Sequence, residues 1–420
     1  MDIHSISFIL YNTFLIPVTF FSFIYYIVAL RGILSKEENA VFSMGEIKWP
    51  KVTIQIPTFN EPVAIRCAES CLNFDYPKDK YEIILGDDGT DAGVSKAIDD
   101  FARGNERVKV TRRGHNKGFK AGNLNHMLKF SEGEIIVIFD SDFTAPKNFL
   151  RRVVRPFMED GNVGCVQAEW DFLNEKTNYI SKLSSTLLMF YYSLIVPINN
   201  KLGVPFLFGS GEAVRKDVIL KLGGWQEGSL TEDTEFSLRV FEEGHRIVYL
   251  NDVKVTGELP YTLVGLISQQ RRWAYGNTRA FLDHSKSILF GRLSLLQKVM
   301  VTYTTSVGYL SNFFLLLFLV TGTLYFFSQP PAPIDIVKFI SKTSEIILMT
   351  SGFLLGGVVA LTKKNKSNIL FPSLISVLTV GFLVSFSVCI GFFKAIFGKE
   401  MEWSAINKQG NFDFYSSRRV

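Results

Sequence analysis

Apolar and polar positions fall into distinct textures along the chain. Ile6–Leu30 is 25 residues without a charge, and about 20 suffice to cross a bilayer. From about Trp49 the pattern breaks into short apolar runs between polar clusters. Val52–Pro57, Tyr81–Gly86, Val108–Thr111 and Glu134–Phe139 predict strands, with helical spacing near Glu61–Asn73, Ala92–Arg103 and Gly118–Phe130. Such alternation predicts a parallel sheet with helices on both faces. Ligands of these sheets sit at the carboxyl ends of the strands, where the polar clusters Thr58–Glu61, Asp87–Asp91 and Asp140–Asp142 fall.

The later tracts are apolar again. Asn178–Asn200, aromatic and bracketed by Lys182 and Lys201, predicts a buried or membrane-grazing helix. Val299–Ser328 is uncharged over 30 residues and predicts a span at Leu310–Phe327. Gln329–Pro333 predicts a turn, and Ile346–Thr362 a second, shorter span ending at Lys363-Lys364-Asn365-Lys366. Ser367–Phe393 is a third uncharged tract. A full crossing there would leave Lys394, Lys399, Lys408, Arg418 and Arg419 outside, against the positive-inside bias, so a re-entrant or interfacial segment with a cytoplasmic tail is expected. Arg31 and Lys36 after the first tract place the N-terminus outside and the polar domain in the cytoplasm. Without a basic leader or a small-residue cleavage site, that tract reads as an anchor.

Composition agrees with a polar domain flanked by membrane segments: 47% hydrophobic, 20% charged, mean hydropathy +0.18. The net charge of +5 suits cytoplasmic membrane flanks and gives no argument for nucleic acid. Cys67, Cys71, Cys165 and Cys389 form no CxxC and read as buried free thiols. The expected divisions are an anchor at 1–34, a catalytic domain at 49–285, interfacial and transmembrane helices at 286–396, and a cytoplasmic tail at 397–420.

Several clusters carry candidate chemistry. Asp140 and Asp142 close an apolar strand; at i and i+2 they would share a face and suit Mg2+ or Mn2+ held jointly with a diphosphate. A solvated turn would carry the same residues. Asp87 and Asp88 could accept hydrogen bonds from a nucleotide, or form an Asx-type turn before Gly89. Lys117 and Lys120 open a helix with Gly118 and Gly122 and could face donor phosphates. Ser229-Leu-Thr-Glu232 has the capping-box pattern, which puts Asp233 in a first helical turn, a rigid position for a general base. The helix terminus should lower its basicity and burial should raise it. Gln269-x-x-Arg272-Trp273 shares one helical face, with Arg272 suited to a phosphate and Trp273 to a sugar ring or a membrane interface.

In this order the motifs resemble those of membrane-bound family 2 glycosyltransferases of the GT-A fold, such as cellulose, hyaluronan, chitin and mannan synthases. The resemblance runs from about Val52 to Phe281, through Asp87-Asp88-Gly89, Asp140-Ser141-Asp142, Thr231-Glu232-Asp233 and Gln269-x-x-Arg272-Trp273. Val166–Trp170, Gly257–Pro260, and Glu402-Trp403 followed by Lys408-Gln-Gly410 are similar to the bacterial and mannan-synthase-like branch. The resemblance implies a Rossmann-like, mostly parallel α/β GT-A domain between transmembrane helices. It implies nucleotide contacts at Asp87 or Asp88, with Lys120 and Asp140 on the donor, and a metal at Asp140 and Asp142. Asp233 would be the catalytic base. Glu232, Gly209, Ser210, Gln269, Arg272 and Trp273 would surround acceptor and diphosphate.

The expected activity is inverting transfer from a UDP- or GDP-sugar to a growing β-linked polysaccharide at the inner face of the cell membrane, processive and coupled to export. Single addition to a membrane lipid is the alternative. A catalytically dead partner subunit is disfavoured by the intact Asp140, Asp142 and Asp233.

Overall fold

The computed structural model describes residues 2–35, 48–330, 333 and 335–402. The tail motif from Trp403 onward and part of the Gln329–Pro333 turn lie outside the described residues.

Seven strands form one sheet: β1 (Val52–Thr58), β2 (Tyr81–Asp87), β3 (Val108–Thr111), β4 (Ile135–Ile138), β5 (Val163–Phe172), β6 (Glu212–Arg215) and β7 (Arg246–Gly257), in the order β3-β2-β1-β4-β6-β5-β7. Pairing is parallel except at β6, which is antiparallel to both β4 and β5. β1 and β2 are buried along their whole length, as strands of a sheet covered on both faces should be, and their polar Thr53, Gln55 and Glu82 are hydrogen-bonded there. Ile54, Ile56, Ile83, Leu85, Ile136 and Phe139 lie in its core.

The helices, in order, are α1 (Ile3–Leu34), α2 (Val63–Leu72), α3 (Ala92–Arg103), α4 (Phe119–Leu128), α5 (Phe149–Glu159), α6 (Tyr179–Phe190), α7 (Val196–Lys201), α8 (Lys216–Lys221), α9 (Glu232–Glu243), α10 (Leu263–Phe290), α11 (Leu295–Thr305), α12 (Leu310–Phe327), α13 (Ile336–Thr350), α14 (Gly352–Lys363) and α15 (Leu370–Ile396). A π-helical turn, Tyr191–Ile195, joins α6 to α7, so the Asn178–Asn200 tract is a largely buried, broken helix. α10 continues through residue 285 to Phe290, past the boundary expected there, and Gly291 stands at its C-cap.

Three described helical segments are long and apolar enough to cross a membrane: Ile3–Leu34, Val307–Phe327 and Ser367–Ile396. The shorter span expected at Ile346–Thr362 falls on a pair, α13 and α14, that is apolar enough to cross only when taken together and is bent by 62°, a broken span or a re-entrant loop. The break is supported from a helix distant in sequence. Ser22 Oγ accepts the Gly352 N–H at 2.9 Å, and Tyr26 Oη donates to Leu348 O at 2.8 Å, so α1 satisfies the groups that the bend frees.

Both ends of α15 meet the polar domain. Before it, Lys366 pairs with Asp171 at 2.8 Å and Glu175 at 2.5 Å. Near its end, Gly391 packs against the backbone of Arg271 and Tyr275. Between them Val384 and Val388 share a small core with Leu183 of α6 and with Leu266 and Ala274 of α10.

Candidate active site

A cavity of about 240 Å³ opens at the carboxyl ends of β1, β2 and β4 and is closed by α9 and α10. Of the residues picked out by sequence, Asp88, Lys120, Asp140, Asp142, Gly209, Glu232, Asp233, Gln269, Arg272 and Trp273 line it. Asp87 and Ser210 do not.

The two acids after β2 separate cleanly. Asp87 turns inward: it accepts the Gly89 N–H at 3.0 Å, the Ser95 hydroxyl at 2.6 Å and Arg112 Nε at 2.9 Å. Asp88 faces the cavity and is held by the Arg113 guanidinium, whose Nε donates at 3.0 Å. Arg112 and Arg113 follow β3, beside β2 in the sheet. Only the strand order reveals that the two arginines serve these two acids.

Asp140 and Asp142 do not share a strand face. β4 ends at Ile138, and the two acids lie in a turn closed by the Phe143 N–H on Asp140 O at 3.0 Å. Both still line the cavity, because the turn and its partners aim them there. Ser210 Oγ accepts the Asp140 N–H at 3.0 Å, which gives Ser210 a positioning place behind the wall. Asp142 accepts the Glu258 N–H at 3.0 Å. No group of three His, Cys, Asp or Glu side chains arranged for a metal occurs among the described residues. Two carboxylates alone fit a hard cation whose remaining positions are taken by diphosphate oxygens and water.

Lys120 joins this turn to α9. Its Nζ lies 2.8 Å from Asp140 Oδ1 and 3.1 Å from Glu232 Oε1, and donates to Gly209 O at 2.6 Å. Burial opposes its charge, but Asp140, Glu232 and Glu212 outweigh that and hold its pKa above the ordinary lysine value.

The capping box expected at Ser229–Glu232 does not form. Thr231 is the N-cap of α9 and makes no side-chain cap bond, and its buried Oγ1 has no partner. The hydroxyl packs over Gly276 of α10, which competes with capping. Asp233 is nevertheless in the first turn of α9, beside Gly209. Burial, then the charge of Glu232, push its pKa up to about 7, against the opposing Lys120, Thr234 N–H and Arg272. Burial therefore prevails over the helix terminus, and Asp233 has a basicity suited to proton abstraction near neutral pH.

On α10, Gln269, Arg272 and Trp273 present one face to the cavity, as their spacing predicts. Arg272 donates to Leu230 O at 2.8 Å, tying α10 to the approach of α9. Gln269 Oε1 is buried with no partner, a polar atom left for a ligand. Glu61, Asn123, Trp170 and Glu258 also line the cavity and carried no assigned role in the sequence. Their signal was position: Glu61 belongs to the polar cluster after β1, and Trp170 and Glu258 to segments with a family likeness.

The comparisons with known proteins bear on the family and the fold. The model of glycosyltransferase-like family 2 matches residues 50–276, and the cellulose synthase model matches 218–413. A probable glucomannan 4-beta-mannosyltransferase 7 of Oryza sativa subsp. japonica is 30% identical over 270 residues, covering 62% of this chain and 46% of that protein. A second rice protein, probable glucomannan 4-beta-mannosyltransferase 6, is 27% identical over 380 residues, covering 87% of this chain and 64% of that one. The chain thus spans about half to two thirds of the length of these relatives. A solved mannosyltransferase from Pyrobaculum calidifontis, in complex with GDP-Man and Mn2+, superposes with a TM-score of 0.63 at 18% identity, covering 90% of this chain and 99% of that one. The sheet with its flanking apolar helices, the acids at the strand ends and the match over residues 50–276 together make this chain a member of the family 2 glycosyltransferases.

Proposed function

We propose that this chain is an inverting, metal-assisted hexosyltransferase that extends a β-linked glycan of the mannan type from a nucleotide-diphosphate sugar. The observation that carries the reading is the single cavity shared by Asp140, Asp142, Asp233 and the Gln269–Arg272–Trp273 face. Asp88, set by Arg113, takes the nucleotide, and Lys120 and Arg272 face the donor diphosphate. Asp140 and Asp142 would hold a divalent ion, which would supply charge neutralisation for the departing diphosphate. The acceptor hydroxyl, stacked with its sugar on Trp273, loses its proton to Asp233 as its oxygen bonds to the anomeric carbon. The bond from that carbon to the diphosphate oxygen breaks on the opposite side, inverting the configuration.

The names of the relatives and of the solved mannosyltransferase support GDP-mannose as the first donor to test. Lys364 and Lys366 dock on the polar domain through Glu169, Asp171 and Glu175, which supports placing the 363–366 turn on the catalytic, cytoplasmic side. Contact of both ends of α15 with the polar domain supports an interfacial course for that helix.

The test is purified protein in lipid with radiolabelled GDP-mannose, UDP-glucose and UDP-N-acetylglucosamine, followed by product sizing. A ladder from GDP-mannose is expected. One short, solvent-extractable product would replace polymerisation with single transfer to a lipid. No transfer from any donor would remove the reading.

A further inference from the structure

The carboxyl end of β5 is held from two sides. β6 runs antiparallel to both β4 and β5, so β5 points the same way as β4. Its last residues, Glu169–Phe172, therefore arrive at the end of the sheet where Asp140 and Asp142 stand. Successive side chains of a strand alternate between its two faces. Trp170 and Phe172 line the cavity, and Glu169 and Asp171 do not. On the cavity side, the Trp170 indole N–H donates to Ser210 O at 2.8 Å, and its ring packs 4.7 Å from that of Phe143.

On the other side, the turn between α14 and α15 takes hold. Lys364 Nζ lies 2.7 Å from Glu169 Oε1, and the two side chains are only 9% and 2% exposed. Lys366 Nζ lies 2.8 Å from Asp171 Oδ1 and 2.5 Å from Glu175 Oε2. Two cations of one turn thus grip the two acids that flank Trp170. Lys366 also stands 5.8 Å over the Phe172 ring, so it meets the wall directly. The turn is itself carried by the apolar helices: Gly356 of α14 packs on the Phe190 ring of α6, and Gly352 on Ser22 of α1. The two aromatic rings are therefore placed jointly by the sheet and by the helices that flank it.

Aromatic faces in a cavity offer the apolar face of a sugar ring a surface to stack on. Asp88 and Lys120, the donor groups, belong to the β2 and α4 part of the domain, several strands away from β5. We propose that Lys364 and Lys366 are positioning residues for the acceptor: gripping β5 from behind, they set Trp170 and Phe172 as a wall on which sugar units of the glycan acceptor stack. The inference rests on the transferase reading above. Removing one partner of a buried ion pair leaves the other charge uncompensated, so loss of either lysine disturbs the wall and leaves the donor half of the site in place.

The test is initial-rate kinetics of the full chain in lipid, with GDP-mannose as donor and mannohexaose as added acceptor, for wild type, Trp170→Leu, Lys364→Met and Lys366→Met. Each lysine variant should raise the acceptor KM by about tenfold and leave the donor KM near wild type, the split expected when acceptor binding alone is weakened. Trp170→Leu should raise the acceptor KM in the same direction. A merely structural role would lower the amount of active enzyme and leave both KM values alone. That result, or equal rises in both KM values, would overturn the proposal, as would an unchanged acceptor KM in Trp170→Leu. If Lys364→Met does not fold, Lys366→Met decides, because its partner Asp171 is 32% exposed and tolerates the loss of a cation. No transfer by the wild type from GDP-mannose or any other donor would instead sink the transferase reading, which separates the two failures.

Discussion

Lys120 Nζ lies 2.8 Å from Asp140 Oδ1, so the first helix residue pair after Gly118 neutralises an acid of the turn after β4. The same ammonium reaches Glu232, and with it the helix that carries Asp233. Replacing Lys120 by Met leaves Asp140 and Glu232 without their shared cation, at a cost of about 1–3 kcal/mol. The donor KM should rise roughly tenfold for each 1.4 kcal/mol of lost diphosphate attraction. Thermal unfolding and donor titration of the variant check both, and unchanged donor affinity would refute the phosphate-facing role.

Asp233→Asn should bind donor nearly as wild type does and lose transfer by about 10²–10⁴-fold, the usual worth of a positioned general base. In the wild type the required form is the ionised one. Activity should therefore be present above about pH 7 and fall as pH drops through it, because burial and Glu232 raise that pKa. Rates that hold constant from pH 8 to pH 5, measured by initial-rate assay, would contradict this.

Chelation with EDTA should stop turnover, and Mn2+ or Mg2+ should restore it, since Asp140 and Asp142 are carboxylates matched to a hard cation. Asp142→Ala should raise the metal concentration needed for half-maximal rate. Full activity in EDTA would remove the metal from these two acids.

His284 clamps α9 to α10: its Nε2 lies 3.1 Å from Glu235 and its Nδ1 2.9 Å from Glu242. These two acids raise its pKa to about 9, against burial. The folded value exceeds the unfolded one, so the stabilisation is complete below about pH 6.5 and is lost as pH rises through about 9. His284→Ala should cost on the order of 2 kcal/mol at neutral pH and little at pH 10. Melting curves at the two pH values decide; an equal cost at both would indicate packing alone.

Much of this architecture was legible in the sequence. The first four strands, α3 and α12 fall where apolar periodicity puts them, because that signal is local. The face shared by Gln269, Arg272 and Trp273 follows from helical geometry alone. Other expectations failed for reasons beyond local pattern. Asp140 and Asp142 sit on a turn because β4 stops where its neighbour β6 begins to pair antiparallel at Glu212. The capping box at Ser229 yields to packing of Thr231 on Gly276. The 62° bend within the span expected at Ile346–Thr362 was not legible, because the groups that satisfy it, Ser22 and Tyr26, lie more than 300 residues earlier.

The sequence by itself determined which side chains are present and on which elements: the acids at strand ends, an aspartate in a first helical turn, an amide, guanidinium and indole in register. Only the tertiary structure decided their states. It turned Asp87 inward and Asp88 toward the cavity by bringing Arg112 and Arg113 alongside, and it raised Asp233 by burying it beside Glu232. It placed Glu212 behind Gly209 and Lys364 on Glu169. Identity and periodicity are properties of the local chain, whereas orientation, burial and charge depend on neighbours supplied from tens to hundreds of residues away.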